Sequence, residues 1–181
     1  MDFSGSMLRA ARQAAPSTRL VRGDLDHLPF RDASLDLIVS ALTLQFVNDL
    51  PGALIQVRRA LKPDGLFLAA LAGGDTLTEL RQAFAIAETE IEGGLSPRVA
   101  PFADLRDLGA LLQRAGFALP VTDIDRLTAR SASPSALLQV LRRMGATNAL
   151  GQRRRTPLRR ATLMRMIEGD AERCAGADCG I

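Results

Sequence analysis

The chain contains no tryptophan and no tyrosine, and only one histidine, His27, and one lysine, Lys62, among 181 residues. Aromatic residues make up 4% and all are phenylalanine, so no rings are interleaved among the basic residues to stack on nucleobases, which argues against nucleic-acid binding. With a single histidine there is no Ser-His-Asp or Cys-His arrangement, and His27 stands in a loop without an evident carboxylate partner. The two cysteines, Cys174 and Cys179, lie near the C-terminus without a second ligand pair. A zinc site is therefore not expected, and two free thiols are expected in place of a disulfide. The longest apolar run, Leu66 to Ala72, is far shorter than the roughly 18–20 residues that span a bilayer, and no basic-then-apolar signal layout opens the chain. These absences predict a soluble, cytoplasmic protein, held at a membrane, if at all, through a partner.

What is present is ordinary globular composition, 47% apolar and 24% charged, enough for one domain with a core. Net charge is +3 but uneven. From Arg142 onward there are 9 basic against 4 acidic residues, on a body that is close to neutral. Arg153-Arg154-Arg155 and Arg159-Arg160 could meet an anionic partner, but a solvated helix face is the simpler expectation.

The order of elements reads as alternating strands and helices. Leu20-Val21-Arg22 predicts a short strand closed by Gly23-Asp24. The apolar runs Leu35 to Ser40 and Leu66 to Leu71 predict strands buried on both faces. Between them a helix is expected from Leu50, capped by Asn48 or Asp49, with Pro51 in its first turn and Lys62-Pro63-Asp64-Gly65 as its stop. Further helices are expected at residues 76–90, 104–115, 135–144 and 157–167, and Val121 to Thr128 alternates like an edge strand. Such alternation indicates an α/β fold with a doubly wound, mostly parallel sheet.

Four motifs then occur in order: Asp2-Phe3-Ser4 with Met7-Leu8, Gly23-Asp24 followed by Leu28-Pro29-Phe30, Ser34 to Ser40, and Arg59 to Gly65. In this order they resemble class I S-adenosylmethionine-dependent methyltransferases. Leu44 to Pro51, Gly73 to Arg81, Glu92 to Arg98, Pro101-Phe102 and Arg143 to Asn148 make the chain most similar to the arginine-hydroxylase assembly-factor family of respiratory complex I, and more distantly to the malonyl-carrier-protein methyltransferases of biotin synthesis. The resemblance covers about Asp2 to Leu163 and implies a Rossmann-like methyltransferase fold. On that pattern the chain is expected to lack the first strand, its glycine-rich turn, most of the second strand and the last strand. The expected layout is an incomplete methyltransferase domain over 1–132, its helical C-terminal part over 133–168, and a disordered tail over 169–181.

The resemblance also implies site residues. In a Rossmann-like unit an acid ends the second strand and accepts from the ribose diol, and Asp2 stands there. Met7 would pack against the adenine, Asp24 would accept from its exocyclic amine with Leu25 beside it, and Ser40 and Ala41 would line the site from the next strand end. Asp75 and Thr76 are substrate-side candidates, with Asp75 as a helix cap as the simpler reading. Glu88, Glu90 and Glu92 read as an acidic face, either solvated or open to an arginine-bearing client such as a complex I subunit. No metal is expected, and self-association through an unpaired sheet edge is. S-adenosylmethionine is the implied cofactor, bound weakly without the glycine-rich turn. A carrier-bound or small carboxylate is the alternative substrate, and a non-catalytic interaction module the alternative class.

Overall fold

The computed structural model describes residues 1–131, 133–149, 151 and 153–174. They form two compact units: Met1–Ala72 with Leu105–Thr122, and Gly73–Asp104 with the described residues from Asp123 on.

The first unit is built on a parallel pair of strands, β1 (Leu35–Ala41) and β2 (Leu61–Ala70), joined through a helix. The unit also holds α1 (Gly5–Ala14), α2 (Leu50–Ala60) and α4 (Leu105–Arg114), while α3 (Thr78–Glu92) belongs to the second unit. The Asp49 carboxylate accepts from the Gly52 N–H at 3.0 Å and opens α2, with Pro51 in its first turn, where a missing N–H costs nothing. Ala53, Leu54, Val57 and Ala60 then fall on one face and are buried, Leu54 completely. Phe67 of β2 stacks on Phe117, which follows α4, with ring centroids 5.5 Å apart. The Arg58 guanidinium donates to the Gly116 carbonyl at 3.1 Å and ties α2 to the end of α4.

Leu37 to Ala41 pair in step with Leu66 to Ala70, but Leu35 pairs with Leu61, so Lys62 to Gly65 bulge out of the ladder. The turn residues expected to end α2 are thus absorbed into the strand. Asp64 takes a left-handed φ of 61°, and a Cβ at Gly65 would lie 3.0 Å from the Lys62 carbonyl, tighter than ordinary contact, so a side chain there would press on the bulge backbone. Lys62 pairs with Asp36 at 2.9 Å across it.

The second unit packs α3 (Thr78–Glu92) against α6 (Arg160–Cys174), with α5 (Pro134–Arg143) alongside. Leu80, Ala83, Phe84 and Ala87 of α3 meet Leu137 and Met166 in a closed apolar cluster.

Several sequence expectations are corrected. The β1 and β2 runs are not buried on both faces: Leu37, Val39, Leu66 and Leu68 are 52%, 64%, 54% and 49% exposed, because among the described residues no layer covers that side. Leu20 to Arg22 form a single parallel bridge, Asp2 to Arg22, and not a strand. Residues 121–128 form no strand and leave Val121 and Leu127 about 90% exposed, since an alternating segment becomes a strand only when a neighbour takes up its backbone groups. The helix expected at 157–167 starts at Arg160 and runs to Cys174, held by Thr162 and Met166, both fully buried. Helix therefore occupies 169–174 of the expected tail, while 175–181 and the cysteine side chains lie outside the described residues and side chains.

Truncating Leu54 to alanine removes the central side chain between α2 and the sheet. It is expected to lower unfolding free energy by about 2–5 kcal/mol, read by chemical denaturation. A loss below about 1 kcal/mol would contradict the packing described.

Candidate functional site

In open α/β sheets ligands collect at the carboxyl ends of the strands, so the loops that leave those ends define the candidate site. Asp2 reaches its place through backbone pairing, its N–H donating to the Val21 carbonyl and its carbonyl accepting from the Gly23 N–H, both at 3.2 Å. The pairing is parallel, so both segments leave it toward the same end. One carboxylate oxygen of Asp2 accepts from the Ser4 N–H at 2.7 Å, and Ser4 caps α1. Met7 lies on α1, a helix that buries none of its residues, and is 58% exposed.

Asp24 begins the next loop. Its carboxylate accepts from the Asp26 N–H at 3.1 Å, and its carbonyl accepts from the His27 N–H at 3.2 Å. Leu25 turns inward and packs on the cluster of Leu44, Val47 and Ala53. That contact places the 24–28 loop against the segment that leaves β1. Gln56 of α2 fixes the loop, its side-chain amide donating to the Asp26 carbonyl and its side-chain oxygen accepting from the Leu28 N–H, each at 2.9 Å. Sequence reasoning missed Gln56; the available signal was one polar residue bordering the apolar face of a helix.

Ser40 and Ala41 end β1. Leu42 follows with a left-handed φ of 51°, its N–H donating to the Ala70 carbonyl at 2.8 Å. A non-glycine residue held in that region carries backbone strain, a feature that concentrates at functional loops. Thr43 bonds back to the Ala41 carbonyl, and the Gln45 amide bonds back to the Leu42 carbonyl. The Gln45 side-chain oxygen and one Asp26 carboxylate oxygen are buried without a hydrogen-bond partner, so two acceptors in these loops remain open to a donor. An exposed Asp24 carboxylate beside an apolar Leu25 suits the amine edge of an adenine, and Asp2 retains one oxygen for a diol, so these acceptors fit a nucleoside cofactor.

Asp75 and Thr76 belong to the other unit. Asp75 does not cap α3, whose cap residue is Leu77 at a φ of 56° with no side-chain bond. It pairs with Arg126 at 3.1 Å, both groups well exposed.

The acidic triplet is not an open face. Glu88 is fully buried, accepting from the Ser96 N–H and hydroxyl and from Arg98 at 2.6 Å, with Arg154 at 3.3 Å. Glu92, 5% exposed, pairs with Arg154 and accepts from the Thr162 hydroxyl at 2.7 Å. Glu90 is held by Arg165 at 2.5 Å. The chain's own arginines thus fill the positions a client's would take, and Arg154 lies in an irregular segment, not on a solvated helix face. Burial pushes the Glu88 carboxyl up, but the Ser96 and Arg98 hydrogen bonds outweigh it and hold the group below the ordinary range. The Thr162 bond does the same for Glu92, joined by Arg154. Among the described residues no cluster of three metal-ligating side chains occurs, and no helix is long and apolar enough to cross a membrane.

Residues 1–69 match the methyltransferase domain family. The chain aligns over 71% of its length, and 73% of the neighbour's, with the structure of a SAM-dependent methyltransferase from Methanosarcina mazei, at a TM-score of 0.55 and 21% identity, which shows the fold. The fold that the chain shares is that of the S-adenosylmethionine-dependent methyltransferases, with residues 1–69 matching their domain family. Within it, the chain is 42% identical over 153 residues to human "Arginine-hydroxylase NDUFAF5, mitochondrial", covering 84% of this chain and 44% of that protein. It is 43% identical over 159 residues to the malonyl-[acyl-carrier protein] O-methyltransferase of Xylella fastidiosa, covering 86% and 52%. The chain therefore spans about half the length of the curated relatives it matches.

A carboxyl held low in the folded state favours folding above its unfolded value, about 4.3, and that contribution fades as pH falls through the folded value. Melting temperature is therefore expected to hold between pH 7 and 5 and to fall below about pH 4. Glu88→Gln should melt lower at neutral pH but lose less on acidification; an unchanged acid limb would contradict the role given to Glu88.

Proposed function

We propose that this chain contributes the strand-end loops of an S-adenosylmethionine site: Asp2 toward the ribose diol, Asp24 and Leu25 at the adenine, Met7 against its face, and Ser40 and Ala41 along the edge. The single observation that supports this most is the pinned 24–28 loop, whose exposed carboxylate sits beside a half-buried leucine and against the segment leaving β1. The relatives extend the reading to their process. We assign the chain to action on an arginine of a respiratory complex I subunit during assembly, with Asp75 and Thr76 on the substrate side. The location that goes with it is the cytoplasm, with membrane attachment only through that partner.

Methyl transfer to a carrier-bound carboxylate is the second reading, favoured by the Xylella fastidiosa relative. Mass spectrometry of an arginine-bearing client and of an acyl-carrier substrate separates the two, since one gains oxygen on a side chain and the other a methyl ester. The partner reading includes self-association, because β1 and β2 each have one strand neighbour and one open edge among the described residues.

None of the loops at residues 2–7, 24–28 and 40–45 is a glycine-rich turn, so the site they offer rests on carboxylates and strand-end backbone. Isothermal titration with S-adenosylmethionine is expected to give a dissociation constant no tighter than about 1 mM, about −4 kcal/mol. Asp24→Ala should abolish the measurable heat. A micromolar constant, or one indifferent to Asp24, would contradict the assignment.

A further inference from the structure

The second unit turns the acids of α3 onto its own arginines and leaves other arginines over. Glu88, Glu90 and Glu92 are taken by Arg98, Arg154 and Arg165. Arg142 and Arg143 close α5, and Arg155, Arg159 and Arg160 lead into α6. All five are exposed, and none of their side chains forms an ion pair or hydrogen bond among the described residues. Leu141 and Leu158 pack against the same apolar cluster, so the arginines that follow each of them emerge near one another. The amino end of α6 is where arginine is least expected. A helix carries partial positive charge there, so acids favour that end and cations oppose it. α6 has no acid in its first turn, and the Arg159 carbonyl already accepts from the Leu163 N–H at 3.1 Å, so Arg159 and Arg160 stand at the positive end itself. A local preference broken without an internal counter-charge marks a surface kept for a partner.

We propose that these five arginines dock an acidic helix of a partner protein. Such a surface lies outside the cofactor loops and is compatible with either substrate reading. Charge complementarity selects the partner, and the unit contains its own example of the recognition. Arg154 turns inward onto Glu88 and Glu92, which stand four apart on α3, while its neighbour Arg155 faces out. Guanidinium forks match carboxylates edge to edge, and glutamates four apart on a partner helix would offer Arg155, Arg159 and Arg160 the same row. Val140 and Met144, also four apart and both exposed, give that helix an apolar contact beside Arg143. Gln139, Arg142 and Arg143 line a shallow groove of about 260 Å³ next to them, wide enough for one carboxylate side chain. Phosphate-bearing partners fit less well. Residues 133–174 hold no aromatic side chain, so none stacks on a base or anchors at a lipid headgroup layer.

Fluorescence anisotropy tests this with the whole chain and a labelled, alanine-based peptide of about 20 residues carrying glutamate at every fourth position. The expected result is a micromolar dissociation constant at low salt that weakens at least about tenfold as salt rises from about 50 to 300 mM. The triple variant Arg155→Gln/Arg159→Gln/Arg160→Gln should bind at least about tenfold more weakly, and Arg142→Gln/Arg143→Gln should weaken binding as well. Removing the same charge from the first unit, in Arg9→Gln/Arg19→Gln/Arg31→Gln, should change the constant by less than about threefold, since distant charges are screened. Arg159→Gln/Arg160→Gln should melt no lower than the parent chain, because it relieves repulsion at the amino end of α6. No binding of the peptide, or equal weakening by the first-unit variant, overturns the surface. A clear drop in melting temperature for Arg159→Gln/Arg160→Gln makes these arginines structural and overturns it too. Tighter binding to a duplex DNA, or to vesicles of phosphatidylserine and phosphatidylcholine, than to the peptide overturns the acidic helix as the partner.

Discussion

A two-stranded parallel sheet cannot stand without cover, and the first unit satisfies that constraint on one side only. On that side α2 seals its face with Leu54 and Val57, and Phe67 meets Phe117. The other arrangements follow from it. Because α2 is fixed, Gln56 can hold the 24–28 loop by two hydrogen bonds, and because Leu44, Val47 and Ala53 are buried, Leu25 has a pocket to enter. The position of Asp24 therefore depends on the packing beneath it. On the other side, Leu37, Val39, Leu66 and Leu68 remain exposed.

The second unit is closed by another kind of interaction. Two buried glutamates of α3 meet two largely buried arginines from distant segments, with Ser96 and Thr162 donating to the carboxylates as well. Buried charges are tolerated when they are paired and hydrogen-bonded, and removing one partner leaves the other exposed to the full desolvation penalty. This set is balanced, two charges of each sign. It holds the 93–98 loop and the 153–156 segment to α3, and it turns a sequence feature that resembles a client-binding face into an internal clasp.

Local chemistry made much of the first unit legible in the sequence. Asp49 and Pro51 marked the start of α2, its apolar spacing marked the buried face, and the run at Leu35 marked β1. The four ordered motifs marked the superfamily. What failed were readings that needed a partner: burial of β1 and β2 on both faces assumes a second layer, and the 121–128 strand assumes a neighbour for its ladder. The Glu88 clasp was illegible for a related reason, since its arginines lie 10 and 66 residues away and nothing local distinguishes a paired glutamate from a solvated one. Gln56 and Gln45 were passed over because an isolated glutamine has no spacing signal; only the loops they bond to give them a role.

We propose the loops at residues 2–7, 24–28 and 40–45 as the chain's share of a nucleoside cofactor site. Amide chemical shifts of the ¹⁵N-labelled chain, followed during titration with S-adenosylmethionine, test it residue by residue. The account predicts saturable shifts confined to those three segments. Shifts centred on Asp75 and Arg126 or on the 153–160 arginines, or no shifts at any concentration, would contradict it.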